Sequence, residues 1–359
     1  MTQIRSCIRT AAFLALAAGA VAQTPVFTNL GSVRLHPYWG LVQGLNGQLY
    51  SETAGTRNIA GQIFEITTGG SVTYLHKLHG NAQFGLLLAT DGNFYGTTPK
   101  GQGAGKIFRV THSSKLSIVH AFCSLPDCAD GDYPWGSLIQ GSDGYLYGTT
   151  VNGGPGCTEQ YLGCGTIFRM TLAGELTTLY TFCLQAGCPD GRGPSGAIVQ
   201  TPDGSLYGVA GSNGGAEIWR LTPAGTLTVL YTFCERPDCR GGSDPQGGLS
   251  LGPDGALYGA TVSYATIFKI TPDGRFQVLV KPGGPAYAPP IPATDGNLYG
   301  TVEGGGTHGY GYIYKMTPSG DLTILYSFCA LPECADGYSP QGPVLQATDG
   351  NFYGTTFRL

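Results

Sequence analysis

Charge is scarce in this chain. Only 42 of its 359 residues are charged, about half the usual share, so long amphipathic helices, which need charged faces, are not expected. Neither sign is in excess. A net charge of −4 leaves no basic face of the kind nucleic acid demands. Disorder is excluded as well, because 42% of the residues are hydrophobic and little charge opposes their collapse. No apolar run after the first 22 residues is long enough to cross a bilayer, so no membrane span is expected in the body of the chain. The glycines follow no three-residue period, which rules out collagen. What is abundant is glycine itself. Its 59 copies, with 23 prolines, point to a turn-rich, all-β globular protein with one large core or a ring of small ones.

Residues 1–22 read as a signal peptide. Arg5 and Arg9 form a basic start, Ala11–Val21 is an apolar stretch too short to span a membrane comfortably, and Ala20-Val21-Ala22 is a small-x-small cleavage site. Cleavage near Ala22 leaves residues 23–359 as a secreted or periplasmic protein. Cys7 precedes the apolar stretch, the wrong place for a lipoprotein cysteine.

The other ten cysteines come in close pairs. Cys123/Cys128, Cys183/Cys188, Cys234/Cys239 and Cys329/Cys334 share one spacing, and Cys157/Cys164 is slightly wider. An even count in an exported chain indicates disulfides. Zinc is the rival, but structural zinc sites converge two pairs, whereas these recur one per repeat and stay apart. Five local bridges are expected.

A phrase recurs at Asn46–Tyr50, Asp91–Tyr95, Asp143–Tyr147, Asp203–Tyr207, Asp254–Tyr258, Asp295–Tyr299 and Asp349–Tyr353. Its tyrosines are 45, 52, 60, 51, 41 and 54 residues apart, a period that belongs to propellers and solenoids. Each unit reads as four strands. In the third, strand A is Ser137–Gln140, followed by an Asp-Gly hairpin turn, whose glycine supplies positive φ. Strand B is Leu146–Thr150, strand C Thr166–Met170 and strand D Leu176–Phe182. Four antiparallel strands per unit describe a propeller blade, while a β-helix rung would have a shorter repeat. The expected fold is a single seven-bladed β-propeller over 23–359, with Pro25–Leu30 as an N-terminal strand D closing the ring. Its last blade is incomplete, because Gly354–Leu359 matches both the end of strand B and strand C and cannot serve as both.

The Asp-Gly-Asn-Leu-Tyr-Gly phrase at residues 295–300, the Gly-Thr-Ile-Phe-Arg-Met strand at 165–170 and the Leu-Tyr-Ser-Phe-Cys ending at 325–329 resemble the GloVer (Gloeo/Verruco) tandem repeat of exported bacterial proteins. That resemblance covers residues 25–359 and implies export and a propeller-like repeat, with no established enzyme activity. The register of strand A and the Asp-Gly-x-Leu-Tyr phrase also resembles NHL-type and streptogramin-lyase-type propellers, a likeness generic to the fold.

Antiparallel order places the short A–B and C–D turns on one face and the long B–C and D–A loops, with all five cysteine pairs, on the other. Eight residues before each turn Asp or Asn, just ahead of strand A, stand Tyr38, Gln83, Trp135, Ser195, Gln246, Tyr287 and Gln341. Aromatic faces stack on sugars and amides bond hydroxyls, so the six aromatic and amide residues are the candidate ligand site for a neutral glycan at the channel mouth. The bland reading of the same positions is loop packing, and of the seven anchor tyrosines interblade packing. His36, His79 and His308, with Glu303, lie in loops of that face but in no catalytic motif. Asp127, Asp130 and Asp132 lack the spacing of a calcium loop. The expected function is a non-catalytic binding or surface-interaction module, a monomer with no cofactor or metal, partnered by an extracellular glycan or surface protein. The competing reading is a secreted lyase or hydrolase acting on a polysaccharide or small ester.

Overall fold

The computed structural model describes residues 13–16, 26–33, 37, 39–55, 60–78, 84–99, 104–157, 164–211, 215–234 and 239–357. They form antiparallel sheets, six of four strands and one of five, with three-residue 3-10 turns at Pro126–Cys128 and Pro332–Cys334 as the helical segments among them.

Blade 3 shows how the sequence builds each unit. Strand A (Ile139–Gln140) turns through Asp143-Gly144, where Gly144 has φ 84° and its N–H donates to the Gly141 carbonyl at 2.9 Å. Strand B (Leu146–Asn152) pairs with strand C (Thr166–Met170) so that Tyr147 faces Arg169 and Gly148 faces Phe168. Strand D (Leu176–Thr181) completes the sheet, and Asp132–Pro134 adds a short extra strand beside strand B. The same order, without the extra strand, makes blade 1 (strands within 42–78), blade 2 (87–121), blade 4 (195–232), blade 5 (249–280) and blade 6 (291–327). Strand B is buried along its first five residues in blades 1, 2, 3, 4 and 6, since both its faces meet neighbouring blades, while strand D is mostly partly buried with some positions exposed.

The core lies between the blades. Tyr207 of blade 4 packs with Leu257 and Phe268 of blade 5, and Tyr258 of blade 5 with Tyr312 and Tyr314 of blade 6. The anchor tyrosines therefore belong to the interblade packing. In five units the hydroxyl also donates back to the turn Asp, as Tyr147 does to Asp143 at 2.7 Å and Tyr299 to Asp295 at 2.8 Å.

The expected seven-bladed propeller with an incomplete last blade is corrected to one of six blades. The strands of the seventh phrase, Leu345–Gln346 and Phe352–Thr355, make no blade of their own but join a composite sheet. Phe27–Asn29 forms its outer strand, and the strand between is Phe13–Leu16, which pairs antiparallel with both neighbours. The physical reason is the path of the chain after strand B. It does not turn back at Thr355 as strand C but runs on to Phe357, whose N–H donates to the Ser339 carbonyl at 3.1 Å. Phe27 holds the outer strand in place by stacking on Tyr326 of blade 6 at 4.2 Å. The remainder of the segment read as a signal peptide lies outside the described residues.

The five expected disulfides are all present, as Cys123–Cys128, Cys157–Cys164, Cys183–Cys188, Cys234–Cys239 and Cys329–Cys334. Four of them close the loop that follows a strand D, and Cys157–Cys164 closes the loop between strands B and C of blade 3. Such bridges suit an oxidising, extracellular environment. Among the described residues no helix is long and apolar enough to cross a membrane.

Candidate functional site

The segments just ahead of strand A converge at the centre of the loop face. Gly196 N–H donates to the Trp135 carbonyl at 2.9 Å, and Ala197 N–H to the Gly247 carbonyl at 3.2 Å, so three successive blades are tied backbone to backbone. Hydroxyls from the preceding blade's strand B reinforce this rim: Thr97 donates to the Gly136 carbonyl at 3.2 Å and Thr301 to the Gly342 carbonyl at 2.9 Å. The approach is so close that glycine is required. A Cβ on Gly136 would stand 2.2 Å from the Gly196 oxygen, and one on Gly247 would stand 2.3 Å from the Tyr287 oxygen.

Blades 1 and 2 break that pattern. Where Gly136, Gly196, Gly247 and Gly342 stand elsewhere, they carry Trp39 and Phe84. The rings form a connected row, with Trp39 edge-on to Phe84 at 6.1 Å, Phe84 edge-on to Trp135 at 4.8 Å, and Trp135 stacked on Tyr133 at 5.2 Å. Phe84 is buried, while Trp39, Trp135 and Tyr133 are half-buried and keep part of their surface open. Beneath the row lies Glu52, in the strand-B position that carries Thr97, Thr149, Thr301 and Thr355 in other units. Its carboxylate accepts the Phe84 and Gly85 N–H groups at 3.0 and 3.1 Å. Burial pushes this carboxyl up to about 7, against the pull of those two amides.

The other side of the mouth is polar. Gln246 donates to Asp244 at 2.8 Å and Gln341 to Glu303 at 2.7 Å. Tyr287 sits between them, and burial, then Glu303 and Asp244, raise its hydroxyl above the ordinary phenol range. A cavity of about 360 Å³ opens next to this arc, with Ser195, Ser243, Asp244, Gln246 and Ser263 among its lining residues. The mouth thus has an aromatic side at blades 1–3 and an acid-and-amide side from blade 5 to the composite sheet.

Of the candidate residues, Trp135 falls in the aromatic row, and Gln246, Tyr287 and Gln341 fall in the polar arc. Tyr38 and Gln83 lie outside the described residues, as do His36 and His79. His308 is exposed. The bridged cysteines hold loops and do not line the cavity. Through their carbonyls, Cys164 accepts the Gly193 N–H at 3.1 Å, Cys188 the Gly191 N–H at 3.0 Å and Cys239 the Gly242 N–H at 2.8 Å. Each of these bonds fixes the chain on its way to the next strand A.

Sequence reasoning missed Trp39, Phe84, Tyr133, Glu52 and Asp244. The first two had a signal, a bulky ring where four units have glycine. Asp130 is engaged locally: its carboxylate accepts the Ser124 and Leu125 N–H groups at 3.1 and 3.2 Å and ties down the Cys123–Cys128 loop. Among the described residues no cluster of His, Cys, Asp and Glu is able to hold a metal.

The profile of the Gloeobacter/Verrucomicrobia repeat matches residues 36–264. No curated protein matches the chain. Among solved structures, a streptogramin B lyase is similar over 97% of this chain and 98% of its own, with a TM-score of 0.60 and 17% identity. The virginiamycin B lyase of Staphylococcus aureus, crystallised as an inactive variant with quinupristin, covers 89% of this chain and 94% of its own (TM-score 0.58, 19% identity). The aldose sugar dehydrogenase of Streptomyces coelicolor in its PQQ-bound form covers 81% and 95% (TM-score 0.51, 18% identity). At these identities the likeness concerns the propeller fold alone.

Proposed function

The chain belongs to the Gloeobacter/Verrucomicrobia repeat family, and from that premise we propose that it is an exported, non-catalytic binding propeller whose loop-face mouth takes a neutral glycan. The observation that carries the reading is the two-sided mouth. Half-buried rings at Trp39, Trp135 and Tyr133 offer faces to the apolar side of a sugar. Around the rest of the mouth, Gln246, Gln341, Asp244 and Glu303 supply the donors and acceptors that sugar hydroxyls require. The disulfide-braced loops reduce the entropy lost on docking. Residues 1–22 act as the export signal in this reading, and the five disulfides fit that destination. The test is a glycan array run beside product-release assays on the same polysaccharides. Retention without release supports the binding module. Release of shortened or unsaturated products assigns the chain to the lyase or hydrolase class. Absence of both removes the mouth from glycan recognition.

A further inference from the structure

The face of short turns, away from the mouth, carries an opened ion pair. Strand C places a base opposite the anchor tyrosine in blades 2 to 6, as Arg109, Arg169, Arg220, Lys269 and Lys315. In blades 4, 5 and 6 that base pairs with the turn aspartate. Arg220 stands 3.1 Å from Asp203 and Lys315 stands 2.8 Å from Asp295, and Lys269 pairs likewise with Asp254. In blade 3 the pair is parted. The position that holds Ser205, Ala256 or Asn297 in those blades holds Tyr145. Its ring takes the Arg169 guanidinium, 4.9 Å from the centroid. The buried Nε of Arg169 has no hydrogen-bond partner. Asp143 accepts the Tyr147 hydroxyl at 2.7 Å and the Tyr145 N–H at 3.3 Å, and no base among the described residues pairs with it.

Both parted charges line one cavity of about 260 Å³, between the A–B turn of blade 3 and the C–D turn of blade 4. Much of its remaining wall is apolar, formed by Leu179, Leu206, Leu221 and Pro223. Gln200 adds a donor. Its Oε1 accepts the Ser142 N–H at 2.9 Å, while its NH2 group donates to nothing among the described residues. The matching amide of Gln140 is spent within its own turn, donating to the Gly144 carbonyl at 2.9 Å.

We propose that this cavity binds a free α-amino acid with an apolar side chain. A simple carboxylate entering it meets the like charge of Asp143, and a simple amine meets that of Arg169. A zwitterion answers both from one carbon. Its carboxylate takes the donors of Arg169 and Gln200, its ammonium takes Asp143, and its side chain lies on the leucines. The ligand thus stands inside the pair that blades 4 to 6 close directly. Tyr145 is the residue that opens the site, because its ring holds Arg169 away from the turn. The site is separate from the mouth and does not depend on glycan binding.

Ligand-observed NMR titration of the full chain with L-leucine, L-valine and L-phenylalanine tests the site. The amino acid that binds best is then compared with its amide, which lacks the carboxylate, and its deamino acid, which lacks the ammonium. The parent prefers the amino acid over either analogue by about tenfold or more. Tyr145→Ser, which copies Ser205 of blade 4, lets Arg169 close on Asp143 and loses the binding with no fall in melting temperature. Asp143→Asn, a turn residue already present as Asn46 in blade 1, loses the preference over the deamino acid. A parent chain that ignores all three amino acids, or takes the analogues equally, overturns the proposal. So does a folded Tyr145→Ser chain that binds as the parent does.

Discussion

Asn46 Nδ2 stands 3.1 Å from Glu65 Oε1, and the pair inverts the arrangement of the five blades that follow. There the turn residue is an aspartate and the residue opposite the tyrosine is a lysine or arginine. In blade 1 the turn is an amide and the opposite strand carries the acid. Tyr50 still links the two, receiving a bond from Asn46 at 2.8 Å and donating to Glu65 at 2.8 Å. The carboxylate has moved across the ring, and the pairing of one acid with each tyrosine is kept.

Asn46→Asp alone should therefore place two carboxylates beside Tyr50 and lower stability. Adding Glu65→Arg should recreate the arrangement of the other blades and recover the loss. For a partly exposed pair the coupling is about 0.5–1 kcal/mol, readable from urea midpoints in a double-mutant cycle. A double variant no more stable than Asn46→Asp shows that the residues do not act as an electrostatic unit.

The loop clamps should matter more. Asp336 is fully buried and accepts the Tyr326 hydroxyl at 2.7 Å, the Ala330 N–H at 2.9 Å and the Leu331 N–H at 3.2 Å. Asp336→Ala strands three donors, an expected loss of about 3 kcal/mol, seen as a lower melting temperature with the Cys329–Cys334 bridge still formed. A change within about 0.5 kcal/mol removes the clamp from the account.

Glu52 sets a pH dependence. Its folded value of about 7 lies above that of an unfolded glutamate, near 4.3, so between those values the native state binds more protons than the unfolded state. Its contribution is fully present below the unfolded value and is lost as pH rises toward and through 7. Glu217, pushed up to about 7 by burial and then by Asp190, acts in the same window. Glu52→Gln should flatten part of the slope between pH 5 and 7 and leave the chain more stable than the parent at pH 8, by urea denaturation across that range. A parent-like slope in the variant contradicts the assignment.

Much of this architecture is legible in the sequence because its determinants are local. The Asp143-Gly144 turn, the Thr166–Met170 strand and each cysteine pair are set by residues a few positions apart, so pattern and spacing reveal them. What escaped is set by distant packing. Trp39 and Phe84 are one residue out of step with Trp135, and only the closing ring of blades brings the three together. Glu52 looks like one more polar strand residue until the fold places the Phe84 and Gly85 amides over it. The strand paired with Phe352–Thr355 comes from more than 300 residues away and from a segment whose composition reads as a signal for export.

The central claim is that the mouth binds glycan through its aromatic side, and calorimetric titration of Trp135→Ala tests it most directly. The titrant is the glycan best retained on the array, with melting curves recorded alongside. If values for aromatic pairs transfer, a stacked sugar gains about 0.5–1.5 kcal/mol per ring. The account predicts affinity several-fold weaker than the parent's, with only a modest drop in melting temperature, since the rings of Phe84 and Tyr133 remain to cover the site. Unchanged affinity together with a large fall in melting temperature would show that the row serves packing alone, and would contradict the account.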